Sequence, residues 1–404
     1  MSSALERFLQ YVTIDTQSNE KSNVTPSTPC QFDLAKLLVK ELKQLGLTDA
    51  AVDEHCYVTA TLPSNLPEGR DDAPVIGLIA HLDTSDSCSG KNVKPRVMEY
   101  TGGDVVLESG LKIPEDADLL RNRGRRIVVT DGTTLLGGDD KAGIASIMAA
   151  VETLLTKKTP HGRVRICFTP DEEIGNGTAF FDVEKFGAQY AYTVDSGGVG
   201  EINRETFTAD KAVMTVNGKD IHPGYAKGRM VNAGRVLSRI IAGLPLARTP
   251  EQTEGREPFI HLLEVDGDVS LAKAEFILRA FEESDRRKNQ QILQDTFHAV
   301  INATPGATGS LEIKTQYLNM KRFLDECPLV TDRLEQAVSQ CGVQPQWIPI
   351  RGGTDGSRLS EMGLPTPNIF AGYYRCHSLT EWLAADELEK SVEVLVRLVD
   401  LWAQ

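Results

Sequence analysis

The 404-residue sequence has no stretch approaching the roughly 20 consecutive apolar residues that a membrane-crossing helix needs. A bilayer is therefore not an expected partner. Basic residues are nowhere concentrated: 43 Lys and Arg stand against 57 Asp and Glu, a formal charge of −14, so no surface is expected to neutralise a nucleic-acid backbone. The seven cysteines, scattered from Cys30 to Cys376, contain no CxxC pair. That sets aside a disulfide framework and an all-thiolate zinc site, and it fits a reducing cytoplasm. No GxGxxG follows a first strand, and the Gly-rich GGDDKAG lacks the Lys-Ser/Thr ending of a phosphate-binding loop. There is no internal repeat and no low-complexity tract. The opening MSSALERFLQYV carries Glu6 and Arg7 within an amphipathic pattern, so it reads as a first helix and not as a signal peptide.

What is present is the composition of a folded protein, 41% hydrophobic and 25% charged, long enough for two domains. In the first half, apolar runs alternate with helical periodicity, the pattern of an α/β sheet. VIGLIA (75–80), RVRICFT (163–169) and AYTV (191–194) read as strands. Ile144, Ile147, Met148, Val151, Leu154 and Leu155 mark one stripe of a helix starting near Lys141. From about residue 207 the texture changes to KAVMTV, a helix through Val236 and Ile240, the strands FIHLLEV and EFILRAF, a helix with Ile292, Leu293, Phe297 and Val300 on one face, and SLEIKTQ. α/β character resumes with a helix from about Thr331, read as its N-cap, to Cys341, then QWIPI, TPNIFA and a C-terminal helix. The economical reading is a domain of residues 1–206 and 319–404, its central mixed sheet flanked by helices, interrupted by an α+β insert at 207–318.

Five places put His, Asp or Glu after a buried strand or in a Gly-rich turn: His81 and Asp83 in HLDT, Asp139 and Asp140 in GGDDKAG, Glu172 and Glu173 in FTPDEEIG, Asp195 in TVDSGG, and His377 in RCHS. Ligands of open α/β sheets bind beyond the carboxyl ends of the strands, so these residues can converge although distant in sequence. Taken singly, each is ordinary; DDKAG, for instance, suits a helix start. Together they form a cluster of acids that needs cations to hold it. Two histidines and three carboxylates would divide between two divalent ions, one carboxylate bridging. Asp83 can accept the second ring N–H of His81, and one glutamate of the pair is free to act as a base. A strand alternates faces, so Glu172 and Glu173 should not point the same way, and one can bind metal while its neighbour holds a water.

HLDT, LLGGDDKAG, FTPDEEIGNG, TVDSGGVGE, IHPGYAKG, IRGGTDG and the His377 loop, in this order and over essentially the whole chain, resemble the peptidase T family of tripeptide aminopeptidases. That family lies within the di-zinc peptidases and acylases that include the bacterial glutamate carboxypeptidases. The resemblance implies a zinc-binding catalytic domain, an inserted lid and dimerisation domain, and a cytoplasmic homodimer that releases the N-terminal residue of tripeptides with two Zn²⁺ per chain. It implies that His81 and Asp195 hold one ion, Glu173 and His377 the other, and that Asp139 of the D-x-K pattern bridges. Glu172 becomes the general base, Asp83 the partner of His81, and His222 of IHPG a lid donor to the reacting carbonyl oxygen. Arg279 and Arg351 become the cations that hold substrate. Gly138, Ser196, Ala280 and the RCHSLTEW loop depart from the family's usual residues. A related acylase or dipeptidase is the nearest alternative activity, and a noncatalytic peptide-binding protein the alternative from another class.

Overall fold

A computed structural model describes residues 3–68 and 73–404. The chain forms two compact units. The first comprises Met1–Arg204, Met320–Ile348 and Thr354–Gln404; the second comprises Glu205–Asn319 and Pro349–Gly353.

The first unit is built on an eight-stranded mixed sheet. Its order is Ala51–Val52, Val58–Leu62, Val164–Thr169, Ile76–His81, Tyr190–Ser196, Asn368–Phe370, Glu201–Asn203, Gln346–Trp347. Ile76–His81 runs parallel to both neighbours, with His81 opposite Thr169 and Ile79 opposite Thr193. This register is what positions the chemistry: three parallel strands end level with one another, and each has an acid or a histidine at or close to its end. The strand is buried at every position, as a strand covered on both faces must be.

Helix Gly138–Lys157 lies against the sheet, with Ile144, Ile147, Met148, Val151 and Leu154 fully buried. The expected single stripe is too narrow, and Leu155 is exposed. The helix is covered on its other side too, because Ala142, Ala145, Ser146 and Ala149 leave room for helices Ala4–Tyr11 and Ala385–Trp402. Ser146 and Ser391 share a hydrogen bond of 2.5 Å across that contact. The helix expected to be capped by Thr331 starts earlier, at Pro328, and runs to Gln340. Proline is favoured at this first position, where its missing N–H costs nothing, and Thr331 Oγ1 instead donates to the Pro328 carbonyl at 2.9 Å.

A second, antiparallel sheet of the same unit joins Tyr373–Tyr374, Trp382–Ala384, Arg126–Val129 and Arg96–Glu99. Residues 375–381, which contain His377, are the loop between its first two strands.

The second unit is a four-stranded antiparallel sheet, ordered Phe259–Gly267, Leu271–Ala280, Thr208–Asn217, Thr308–Tyr317. Alternate residues Ala212, Met214 and Val216 of one strand and Phe276 and Leu278 of another pack on Val236, Leu237 and Ile240 of helix Ala233–Gly243 and on Leu293 and Phe297 of helix Glu283–Asn302. This unit takes in the segment Pro349–Gly353 beyond the 207–318 insert read from sequence, because Ile350 pairs with the first strand's approach: its N–H donates to Glu205 and its carbonyl accepts from Phe207.

Candidate metal centre

At the carboxyl ends of the parallel strands the structure brings together His81, Asp139, Glu172, Glu173, Asp195 and His377. His81 is the last residue of its strand and is buried. Its Nδ1 lies 3.0 Å from the Asp83 carbonyl, which can only accept, so Nδ1 carries a proton and, in the neutral ring, Nε2 presents a lone pair. Nε2 faces Asp139 Oδ1 at 2.9 Å and Asp195 Oδ1 at 3.8 Å. On the other side of Asp139, His377 Nε2 lies 3.3 Å from Oδ2 and 2.7 Å from Glu173 Oε2. Asp139 thus presents one oxygen to each histidine. Asp140, joined to it by a cis peptide bond, turns the other way and accepts from the His81 and Gly143 N–H groups, each at 3.1 Å.

Glu172 and Glu173 do not continue the strand. They form a 3₁₀ turn, Glu172–Ile174, after Asp171 at φ 54°, so the turn and not strand alternation separates their side chains. Asp83 supports this turn: its carboxylate accepts from Glu172 N at 2.9 Å and Glu173 N at 3.2 Å, while its carbonyl accepts the hydrogen bond from His81 Nδ1–H. The buried Asp171 is held by Ser27 N and Gln31 Nε2, both at 2.7 Å. Left-handed conformations of non-glycine residues cost about 1–2 kcal/mol each. Asp171, Arg375 and His377 all adopt one, at φ 54°, 55° and 58°. The flanking contacts of Asp171, and the Arg375–Asp116 ion pair at 2.6 Å, offset that cost.

The charge balance fits dications. Burial, reinforced by neighbouring carboxylates, pushes Glu172, Asp195 and Asp140 well above the usual carboxylate range and Glu173 up to about 7. Burial also raises Asp139, but the hydrogen bonds from His377 and His81 outweigh it and hold this group below its ordinary value. Hydrogen bonds to Asp139 and Glu173 raise His377 to about 11. Protons thus take the role of cations among acids at close range. Glu173 Oε1 is buried and has no hydrogen-bond partner. Nitrogen and carboxylate donors in this number suit divalent first-row ions.

Two supporting residues went unread in the sequence. Buried Glu381 accepts from Leu136 N, Gly137 N and Asp139 N at 2.7, 2.8 and 3.2 Å, fixing the turn that carries Asp139; burial pushes it up to about 7. Tyr373 donates its hydroxyl to Asp195 Oδ1 at 2.9 Å. Gly138 makes this possible, since a Cβ there would sit 2.7 Å from Tyr373 Cβ. Glu381 lies in RCHSLTEW, the loop segment that also carries His377.

The remaining candidates lie in the second unit. His222 is exposed, and its Nδ1 accepts from Gly224 N at 3.1 Å, so in the neutral ring the proton is on Nε2. Arg279 donates through Nη1 to the Asp210 and Leu278 carbonyls and stacks over Tyr317. Arg351 donates to the carbonyls of Gly255, Glu257 and Thr253 and to Thr253 Oγ1, over the rings of Phe207 and Phe259.

An α/β unit with this acid and histidine cluster beyond its strand ends is a metallopeptidase architecture, and residues 130–401 match the model of peptidase family M20/M25/M40. The chain belongs to that family. It is 45% identical, over 100% of both chains, to peptidase T of Clostridium botulinum strain Loch Maree, and 45% identical to peptidase T of Geobacillus thermodenitrificans over 99% of this chain and 98% of that one. Among solved structures it is similar to an aminopeptidase of Bacillus cereus, with a TM-score of 0.78, 24% identity, and coverage of 99% of this chain and 98% of the other.

Proposed function

We propose that the chain is a cytoplasmic di-zinc aminopeptidase that removes the N-terminal residue from tripeptides. The observation that carries this reading is the position of Asp139 between two donor sets, His81 with Asp195 on one side and His377 with Glu173 on the other, with Glu172 beside them. When bound, zinc supplies a lowered pKa for water and a Lewis acid for the scissile carbonyl. Glu172 takes the proton of the attacking water and passes it to the leaving amine. Asp83 fixes both ends of this arrangement, holding the His81 tautomer through its carbonyl and the Glu172 backbone through its carboxylate. His222 Nε2–H serves as donor to the developing oxyanion. Arg279 and Arg351 are assigned to the substrate carboxylate. Arg279 is the stronger of the two, because Arg351 already donates to four backbone and hydroxyl oxygens.

The 45% identity to peptidase T supports the tripeptide specificity. A homodimer through the second unit is supported by exposed Leu263 and Val265 on its edge strand Phe259–Gly267, where unpaired backbone favours association. Among the described residues no helix is long and apolar enough to cross a membrane. The test is elemental analysis together with hydrolysis of tripeptides, dipeptides and N-acetylated tripeptides, with and without chelator. The expected result is two zinc ions per chain and chelator-sensitive cleavage of the first bond of unblocked tripeptides. Rapid cleavage of the acetylated series would assign the chain to the acylase activity instead.

A further inference from the structure

We propose that Cys376 is a protein ligand of the ion on the His377 side, where its thiolate joins His377, Glu173 and Asp139. The inference rests on the di-metal reading above and adds to it a sulfur donor that neither the strand-end pattern nor the family resemblance supplies. Donor atoms of Asp139, Cys376 and His377 all lie within 4.8 Å of one another. Cys376 sits between two residues in the left-handed region, Arg375 and His377, and the exposed loop has the thiol and the imidazole on the same carboxylate.

A second observation points to a cation beside His377. Glu173 has a side chain only 4% exposed; one of its oxygens lies 2.7 Å from His377 Nε2, and the other, Oε1, is buried without a partner. A desolvated carboxylate oxygen with no donor is unfavourable unless a positive charge faces it. A thiol that coordinates a dication gives up its proton. The step balances without redox chemistry: the S–H bond breaks, the proton goes to solvent, and a sulfur lone pair is donated to the ion. Thiolate is a soft ligand, so its presence biases this half of the site toward zinc over harder cations such as Mg²⁺ or Mn²⁺.

The test uses the full chain stripped of metal and titrated with Co²⁺, whose thiolate complexes show a near-ultraviolet charge-transfer band. The wild-type chain should develop this band as it fills. Cys376→Ser should abolish the band and weaken one of the two binding steps by about tenfold or more, at least the cost of losing a supporting partner. Cys88→Ser should leave both unchanged, although Cys88 Sγ lies 3.8 Å from the His377 carbonyl. Should Cys376→Ser misfold, alkylation of Cys376 in the wild-type chain, located by peptide mass mapping, gives the same answer: bound metal should slow it at least tenfold. Two cobalt ions bound with no charge-transfer band, a band retained in Cys376→Ser, or alkylation indifferent to metal would overturn the cysteine ligand and leave the di-metal reading standing. Absence of cobalt uptake by the wild-type chain would overturn both.

Discussion

The two halves of the proposed centre are built differently. On the His81 side, the ligand ends a central strand, is 2% exposed, and has its tautomer set by the Asp83 carbonyl. On the His377 side the imidazole is 43% exposed and sits on a loop with two left-handed residues, held by the Arg375–Asp116 pair. One half is fixed by the sheet, the other by a hairpin loop. Buried ligands on regular elements are preorganised, whereas a loop ligand must be held by its neighbours, and the neighbours here are Glu381, Asp116 and the sheet of Tyr373–Tyr374 and Trp382–Ala384. The His81 half is therefore expected to keep its ion longer than the His377 half.

The largest expected effect falls on neither half. Glu172→Gln keeps every proposed ligand but cannot accept the water's proton, so kcat should fall by about 10²–10⁴ with two ions still bound. Near wild-type turnover in a metal-replete variant would remove Glu172 from the role of base. Asp139→Ala attacks the comparison directly, because it deletes the group that both halves share. Stoichiometry by elemental analysis should drop below two, and the ion lost should be the one on the His377 side, whose imidazole sits 43% exposed on a loop while His81 is fixed at a strand end. Retention of two ions would show that the halves are independent and that Asp139 does not bridge.

The halves also differed in how legible they were. His81, Glu172, Glu173 and Asp195 follow buried strands, so hydrophobic runs alone place them at one sheet edge, and the parallel register levels them. The family pattern distinguished Asp139 from Asp140, and the structure shows the physical difference: one carboxylate faces the histidines while the other serves backbone N–H groups. The supports of the His377 half were not legible. Glu381 reaches residues 136–139 across some 240 positions of chain, and the Tyr373 hydroxyl meets Asp195 only because Gly138 leaves the space. Such contacts depend on the tertiary path of a short hairpin, for which periodicity carries no signal. The strand reading of Glu172 and Glu173 failed for a related reason, since Asp171 at φ 54° ends the strand with a turn that local propensity does not announce.

His222→Ala moves the test to the second unit. The exposed ring presents Nε2–H from a turn beginning at Pro223, and loss of one oxyanion donor costs about 10²–10³ in kcat. Both ions and the fold should survive, as read by metal content and circular dichroism. An unchanged kcat would make His222 a solvated turn residue and confine the chemistry to the strand-end cluster.

The smallest effect concerns the metal-free chain and sharpens the contrast between charge held by protons and charge held by ions. Asp355 is buried, accepts from Thr169 Oγ1 at 2.7 Å, and is pushed up to about 6 by burial. Its folded pKa lies above the unfolded carboxylate value of about 3.9, so the folded state binds more protons between those two values. The sign follows: stability is fully present below pH ~4 and is lost as pH rises through about 6. A shift of this size corresponds to roughly 2–3 kcal/mol for a buried group. Tm of the metal-free chain should therefore decline from pH 4 to pH 6.5, and Asp355→Asn, which has no carboxyl to ionise, should decline less steeply. His377, raised by its hydrogen bonds to Asp139 and Glu173, works in the same direction over the higher range from about 6.5 upward, so the two contributions separate on the pH axis. Parallel slopes for the variant and the wild type would show that the buried Asp355 carboxyl does not govern the metal-free fold.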